Sequence, residues 1–137
     1  MAHFVFTDPS YVHNAVDLSD HVIGMTLDYD ADEIEDTSAG DTTHLFLGGS
    51  LLNYTLTVDL AQDLAASDVD VTLFPDVGVT RTVTVRNDKS DGVSATNPEY
   101  TGTMLLVSYP PIGAKIGEKA ITRAVYRPAG ALSRATA

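Results

Sequence analysis

The sequence predicts a mainly β fold, an antiparallel β-sandwich or barrel with one packed α-helix and a long extended hairpin loop. Three observations favour this class. Apolar and polar residues alternate with a period of two in several segments, which places every second side chain of a strand on a core. Clusters of glycine, proline, asparagine and aspartate separate these segments, as turns do. A helix is indicated within residues 61–78 only.

The chain of 137 residues has the length of one domain, which we expect to span residues 1–137. Residues 1–9 and 128–137 are expected to form an N-terminal arm and a C-terminal tail, each mobile or bound by a partner. Residues 10–18 have the pattern of a short hairpin. The sequence has neither a cleaved-signal pattern nor a window long and apolar enough for a membrane span, so we expect no membrane partner.

The longest alternating stretch, residues 22–60, predicts two long strands joined by a long connection. The connection, residues 37–50, exceeds the two to five residues of an ordinary hairpin loop. A domain of this length has a diameter near ~37 Å, whereas extended residues 22–36 reach roughly 50 Å. The hairpin is therefore expected to overhang the domain. Its core-facing residues are predicted to be Ile23, Met25, Leu27 and Tyr29 on the outgoing strand, and Leu52, Tyr54, Leu56, Val58 and Leu60 on the return strand.

Downstream of this hairpin, the patterns predict one helix and three further strands. Ser67 is expected to cap the N-terminus of the helix, and Pro75 is expected to end it. Residues 80–86 and 100–109 have strand patterns, and the second is apolar on both faces, as in a central strand or an interface. The last strand is expected over residues 118–127. The residues predicted to face the core are Val69, Leu73, Val83, Val85, Ile121 and Val125.

Charge is distributed unequally along the chain. The first 80 residues carry fifteen of the nineteen acids and no Lys or Arg, whereas residues 81–137 carry all eight basic residues against four acids. The net charge is −11 at pH 7. Proteins bind nucleic acid phosphates through arranged Lys and Arg, so an acidic half repels them. The same charge keeps a domain soluble, and this second interpretation stays open.

No residue pattern predicts catalysis, a metal centre or a cofactor. The chain has no cysteine for a thiolate site or a disulfide. Asp28, Asp30 and Asp32 have the spacing of a calcium loop, but Glu33 and Ala39 stand where that loop needs glycine and glutamate. These aspartates are interpreted as a solvated or partner-facing face of a strand. The four histidines lack ligand spacing and are interpreted as isolated surface or loop residues. We therefore expect a protein that is not an enzyme.

One loop segment predicts an interface. Leu45, Phe46 and Leu47 are three consecutive large apolar residues inside the predicted loop 37–50. A loop that only links two strands has little use for them. They are expected to dock on this domain or on a neighbouring copy of the chain.

Five segments of the chain carry a family resemblance. They are VDLSDHV at residues 16–22, LDYDADEIEDTSAGDTT at 27–43, VDVTLFPDVG at 69–78, SATNPEYTGTMLLVSYPP at 94–111 and GALSRAT at 130–136. With these segments and the elements above in order, the chain resembles the major tail tube protein of long non-contractile-tailed, siphovirus-type bacteriophages. The resemblance covers nearly the whole chain and has no short catalytic signature.

The resemblance implies a structural virion protein that is made in the host bacterial cytoplasm and located in the phage tail. Six copies would form a ring, and rings would stack through long loops and terminal arms into a conduit for double-stranded DNA, which passes without specific binding. Tape-measure, tail terminator and distal tail proteins would be further partners. The expected inter-subunit contacts are Thr37, Asp41, Thr43, Leu45, Phe46 and Leu47. The expected acidic lumen or interface face is Asp28, Asp30, Asp32 and Asp59.

Two other functions stay open at this point. A capsid decoration or head-to-tail adaptor protein of similar build would bind capsid or portal and would not polymerise into tubes. A β-sandwich module that binds carbohydrate or a cell surface would need an exposed aromatic platform. The six tyrosines of this chain lie mostly in predicted strands, which argues against such a platform.

Overall fold

The computed structural model describes residues 3–137, except for the side chain of Ser50. Residues 1 and 2 of the predicted N-terminal arm lie outside this range. The helical elements are α1 (Val69–Leu73) and two short 3-10 turns, Ser19–His21 and Phe74–Asp76. The strands are β1 (Ser10–His13), β2 (Val16–Asp17), β3 (Val22–Glu35), β4 (Phe46–Ala61), β5 (Thr80–Arg86), β6 (Glu99–Ser108), β7 (Ile121–Pro128) and β8 (Ser133–Ala135).

All eight strands belong to one antiparallel sheet. Its order is β2-β1-β5-β6-β7-β4-β3, and β8 pairs with the first residues of β6 where β7 does not reach. The structure thus confirms a mainly β, antiparallel fold with one short helix. Within residues 3–137, the helical segments are far too short to cross a membrane.

The sheet curls around its own core. Strands β1 and β7 are three places apart in the sheet, which is ~14 Å on a flat surface at the usual strand spacing. The hydroxyl groups of Tyr11 on β1 and Tyr126 on β7 nevertheless form a hydrogen bond. Side chains stand roughly perpendicular to a sheet, so this contact requires a strongly concave inner face.

The core fills this concave face, and α1 covers one end of it. Every second residue of β4 from Tyr54 to Leu60 is buried, as the alternation predicts. In β3, Met25 and Leu27 pack against the core, as predicted. The core-facing predictions for Ile23, Tyr29 and Leu52 are wrong, because these side chains are 49%, 55% and 62% exposed. A bulge follows Val22 and turns Ile23 outward, whereas Tyr29 and Leu52 lie toward the outer part of the hairpin, beyond the buried core. The fully buried core residues with the largest side chains are Tyr11, Tyr126, Leu18, Leu56, Leu60, Leu73, Met104 and Leu106.

The predicted inward face of the last strand is wrong. Ile121 is 46% exposed, and Val125 is only partly buried. The buried side chains of β7 are instead those of Thr122, Ala124 and Tyr126. Burial of this more polar set is possible because its hydroxyl groups have partners: the Thr122 hydroxyl donates to a backbone carbonyl at 2.7 Å, and the Tyr126 hydroxyl joins the network described below.

The predicted helix ends are also wrong. Asp68, and not Ser67, is the N-cap residue of α1. Ser67 has a φ of +66°, a left-handed conformation that an N-cap residue does not adopt. Pro75 does not end α1 but lies in the 3-10 turn Phe74–Asp76, where a missing N–H is tolerated. Both end residues of Val69–Leu73 are buried, as predicted.

A chain of polar side chains runs through the core. The Nε2 atom of His13 lies 2.7 Å from Oδ2 of Asp76, and its Nδ1 atom lies 2.9 Å from the Tyr126 hydroxyl. That hydroxyl also bonds to the hydroxyl of Tyr11. Arg81 closes the other end with a nitrogen 3.3 Å from Oδ1 of Asp76. His13 is completely buried, so its interpretation as a surface or loop residue is wrong.

The buried surroundings of His13 and Asp76 favour a neutral imidazole and an ionised carboxylate. Burial lowers the pKa of His13, and this outweighs the opposing effect of Asp76. Burial acts to raise the pKa of Asp76, but hydrogen bonds from His13 and Arg81 outweigh it and hold that pKa below its usual range. We therefore assign His13 as donor to Asp76 through Nε2 and as acceptor from Tyr126 at Nδ1. The Tyr11 hydroxyl then donates to Tyr126.

Candidate functional site

The β3–β4 hairpin is longer than predicted, and its loop is shorter. The antiparallel ladder continues to the pair Glu35 and Phe46. Residues 46–50 therefore belong to β4 and not to the predicted loop 37–50, and the connection consists of residues 36–45. Phe46 and Leu47, which were predicted to lie in the loop, are therefore the first residues of β4. They pair with Glu35 and Ile34 of β3, and such aromatic and aliphatic residues favour a strand.

Two of the predicted inter-subunit residues close the loop on itself. The backbone N–H of Leu45 donates to Oγ1 of Thr37 at 2.9 Å. The backbone N–H of Ser38 donates to Oδ2 of Asp41 at 2.7 Å. All three residues Thr37, Asp41 and Thr43 are exposed, and Thr37 and Asp41 also hold the conformation of the loop through these hydrogen bonds.

The end of the hairpin carries a cluster of exposed apolar side chains, which we call the apolar tip. It consists of Ile34, Leu45, Phe46 and Leu47, which are 58%, 46%, 54% and 53% exposed. Ile34 and Leu47 are paired across the two strands and share one face, whereas Phe46 points to the opposite face, so large apolar side chains are exposed on both faces of the hairpin end. Exposed apolar surface of this extent marks an interaction site. Leu45, Phe46 and Leu47 are therefore available for the inter-subunit contacts predicted for them.

A bulge sets the direction in which the apolar tip projects. Ala31 pairs with Leu52, but Glu33 pairs with Gly48, so β4 has two more residues than β3 between these pairs. Gly49 lies in this bulge with its Cα against Asp32, and a Cβ atom at Gly49 would overlap the Asp32 Cβ. A bulge bends a strand and increases its twist. The absence of a side chain at Gly49 is thus required for the observed direction of the tip.

Substituting Gly49→Ala is expected to loosen the outer part of the hairpin without weakening the core. The overlap with Asp32 must be relieved by a backbone shift, at a cost of about 1–3 kcal/mol. Gly48→Ala is the matched control, because no atom lies within 4 Å of a Cβ built there. Amide hydrogen exchange of residues 33–35 is the measurement. Faster exchange in Gly49→Ala alone is expected, and equal rates in both variants would contradict the role of the bulge.

Three of the four predicted acidic residues share the convex face of the sheet. Asp28 and Asp30 on β3 stand on the same face as Asp59 on β4, because Asp28 pairs with Thr55 and Gly24 pairs with Asp59. Asp59 is not a free acid, since its Oδ1 accepts a hydrogen bond from Nε of Arg123 at 2.7 Å. Asp32 lies apart from these three, at the bulge.

Most of the remaining convex face is uncharged. The strand registers place eight threonines on it, and two of them, Thr84 and Thr101, have hydroxyl groups 3.3 Å apart. Arg123 and Arg127 of β7 add two positive charges, and Arg127 donates to the Thr55 hydroxyl at 3.0 Å. The threonines are Thr26, Thr55, Thr57, Thr80, Thr82, Thr84, Thr101 and Thr103.

An apolar trough opens on the concave side, between β3 and the C-terminal segment. It consists of two adjoining cavities of about 470 and 320 Å³ that share Tyr29 and Leu132. Its floor and walls are mainly apolar, and Arg86 and Arg134 line one end. Sequence reasoning missed this trough because Leu132 and Arg134 belong to the predicted tail, where the alternation extends over only three residues of β8.

The C-terminal segment that forms one wall of the trough is anchored within the subunit. Ser133 and Arg134 of β8 pair with β6. The hydroxyl of Tyr54 donates to the backbone carbonyl of Gly130 at 2.7 Å, and its oxygen lies 3.1 Å from the carbonyl of Thr103. Tyr54 thereby ties the base of the hairpin to this segment, which gives the trough fixed walls.

One group of side chains among residues 3–137 is close enough to consider as a metal site. His21, Asp63 and Asp68 have potential ligand atoms within 4.8 Å of one another. The two ring nitrogens of His21 face different carboxylates, however, with Nε2 3.1 Å from Asp68 and Nδ1 3.9 Å from Asp63. A metal ion binds one ring nitrogen of a histidine, so this geometry fits an imidazole between two carboxylates better than it fits a metal centre.

The sequence matches no model of a known protein family and no curated protein. Solved structures do match its fold. A chain in the virion of the native gene transfer agent particle aligns over 98% of this chain and 100% of its own length, with a TM-score of 0.73 and 16% identity. A chain in the tail of the empty gene transfer agent particle, determined with C6 symmetry, aligns over 85% of this chain and 83% of its own, with a TM-score of 0.65 and 17% identity.

Hcp1 from Flavobacterium johnsoniae has the same fold as well. It aligns over 96% of this chain and 97% of its own length, with a TM-score of 0.56 and 16% identity. At such identities the likeness concerns the fold, which extends in each case over most of both chains. This chain therefore has a fold that also occurs in the tail of a gene transfer agent particle.

Proposed function

We propose that this chain is the subunit of a tail tube, in which six copies form a ring and the rings stack into a conduit for double-stranded DNA. The observation that carries the proposal is the β3–β4 hairpin, which projects an exposed apolar tip from a domain whose fold occurs in a sixfold-symmetric particle tail. The chain acts as a building element and not as a catalyst. Its virion location and its siphovirus type are part of the proposal.

The edge of the sheet supports assembly. Strand β3 is the terminal strand of the sheet and is 14 residues long. A long edge strand presents a row of backbone N–H and C=O groups that pair with another strand when one is available. In a ring, the edge strand of one subunit meets a neighbouring subunit, and the sheets join into a continuous wall.

The convex face supports the passage of DNA. Its threonines offer short uncharged side chains, and Asp28 and Asp30 add negative charge. We assign this face to the lumen, where phosphates are repelled by acids and find few guanidinium groups to bind. The salt bridge between Arg123 and Asp59 neutralises one of the two positive charges that β7 places on this face.

Purified protein is expected to form rings or tubes of uniform bore as its concentration rises, and the apolar tip is expected to be required for them. Ile34→Ser combined with Leu47→Ser removes two exposed apolar contacts and leaves the core intact. Electron microscopy and sedimentation velocity on the same samples measure assembly. The double variant is expected to sediment as a monomer with an unchanged far-UV circular dichroism spectrum.

The control for this experiment removes apolar surface elsewhere. Leu64 and Ile112 are 71% and 91% exposed and lie outside the hairpin, so Leu64→Ser combined with Ile112→Ser should assemble like the wild type. Wild-type protein that stays monomeric at every concentration would contradict self-assembly of the isolated subunit. Discrete complexes with capsid or portal in place of tubes would favour the decoration or adaptor alternative.

A further inference from the structure

We propose that the apolar trough is the binding site for the apolar tip of a second copy of this chain. This inference rests on the proposed function and adds a defined donor surface and a defined acceptor surface to it. The donor is the tip, formed by Ile34, Leu45, Phe46 and Leu47. The acceptor is the trough between β3 and the C-terminal segment, with Tyr29 and Leu132 at its centre.

The two surfaces have matching polarity. The tip presents large apolar side chains, and the trough is lined on its floor and walls by apolar ones. The volume of its larger cavity, about 470 Å³, is within the usual range of protein binding pockets. Leu51 and Leu52, at the rim, are 68% and 62% exposed in the single chain. A seated tip would cover them.

The two surfaces also have opposite charge. Six acids lie between Asp30 and Asp41, and the first 80 residues contain no Lys or Arg. The trough ends at Arg86 and Arg134. Arg86 is partly neutralised by Glu99, whose Oε2 lies 3.3 Å away, whereas Arg134 is exposed on β8. Complementary charge of this kind sets the orientation of an encounter and rejects wrong partners.

The tip of a chain cannot occupy the trough of the same chain. Tyr29 lines the trough, and Ile34 lies five residues farther along β3, roughly 16 Å away in an extended strand. The ladder of β3 with β4 continues to Glu35, so the tip cannot fold back without breaking it. The occupant must then come from another copy. Contact between two different surfaces of identical subunits produces a ring or a stack, as the proposed function requires.

A charge swap tests the electrostatic part of this inference. Arg134→Glu and Glu33→Arg are each expected to raise the concentration needed for assembly at least about tenfold, and the double variant is expected to recover most of this loss. Lys119→Glu is the control, because it makes the same charge change at an exposed position outside the trough. Assembly of Arg134→Glu at the wild-type concentration, or a double variant that only adds the two losses, would overturn the inference while leaving tube formation standing.

Disulfide trapping tests the contact itself, since the chain has no cysteine of its own. Leu47→Cys protein mixed with Ala131→Cys protein is expected to give a cross-linked dimer on oxidation. The competing occupant of the trough is the N-terminal arm of a second copy, because Phe6 of this arm already lines the trough within one chain. A mixture of Phe4→Cys and Ala131→Cys proteins tests this alternative. A dimer from the second mixture alone would overturn the inference in favour of the arm.

Discussion

Tyr126→Ala is expected to lower the free energy of unfolding by about 3–5 kcal/mol, the usual cost of removing a large buried aromatic side chain. Tyr126 is fully buried and packs edge-on against Tyr11, with ring centroids 6.4 Å apart. Its removal leaves a cavity in the centre of the curled sheet. It also leaves the hydroxyl of Tyr11 without an acceptor and Nδ1 of His13 without a donor. Urea denaturation of the monomer, at a concentration below assembly, measures the loss.

Two further variants separate the cavity from the hydrogen bonds. Tyr126→Phe keeps the ring and is expected to cost about 1–3 kcal/mol, because two buried polar groups lose their partner. Combining it with Tyr11→Phe removes one of those unpaired groups and is expected to cost less than the sum of the two single variants. A Tyr126→Phe variant as stable as the wild type would show that the polar chain contributes nothing to stability.

Acidification is expected to destabilise the subunit below about pH 6.5, because His13 is buried as a neutral imidazole. An unperturbed histidine has a pKa of about 6.5, and burial lowers the pKa of His13 in the folded chain. Between these two values the unfolded chain binds a proton that the native chain does not bind. Unfolding is then favoured as the pH falls. The carboxylate of Asp76, whose folded pKa is also lowered, contributes stability that is lost only at lower pH, below about 4.

His13→Gln is expected to flatten this pH dependence, because glutamine can donate to Asp76 and does not titrate. The matched control is His44→Gln, since the side chain of His44 is 78% exposed and its Nδ1 lies 3.0 Å from Oε1 of Glu35 at the surface. Thermal denaturation between pH 7.5 and 5 is the measurement. A slope in His13→Gln equal to that of the wild type would assign the pH dependence to other groups.

Protonation of His13 would also reverse the direction of the hydrogen bonds that connect His13, Tyr126 and Tyr11. Nδ1 would become a donor to the Tyr126 oxygen, and the Tyr126 hydroxyl would turn toward Tyr11. The Tyr11 hydroxyl would then have lost the acceptor that it has in the neutral state. This adds a hydrogen-bond cost to the cost of a buried charge, and both act in the same direction.

The sequence was sufficient where a pattern had one interpretation. β5 was predicted over residues 80–86 and has these bounds, because strictly alternating valines and threonines fix both the strand and its inner face. β7 was ambiguous, since its two faces carry apolar residues in similar number. Aliphatic Ile121 and Val125 were preferred, but the face with Tyr126 is buried because its hydroxyl finds partners in the fold.

The rest depended on contacts between distant parts of the chain. His13 is separated from Asp76 by 63 residues and from Tyr126 by 113, so no local spacing indicates that the three meet. The candidate site was predicted in part: the hairpin and its apolar residues follow from alternation and length. The trough could not be predicted, because Tyr29 and Leu132 meet only through the order of the strands in the sheet.

The strand order has a consequence for the time course of folding. Ser10 pairs with Arg86, and Leu56 pairs with Tyr126, so most of the sheet closes only when the late strands arrive. Hairpins form in about 1–10 μs, whereas β proteins dominated by such distant pairings fold in milliseconds to seconds. The β3–β4 hairpin can therefore form early, whereas the trough is complete only after the distant pairing of β4 with β7 has brought the C-terminal segment beside Tyr29. A subunit that is still folding can therefore present its apolar tip before it has a trough. In the proposed contact, only fully folded subunits would bind the tip of another copy.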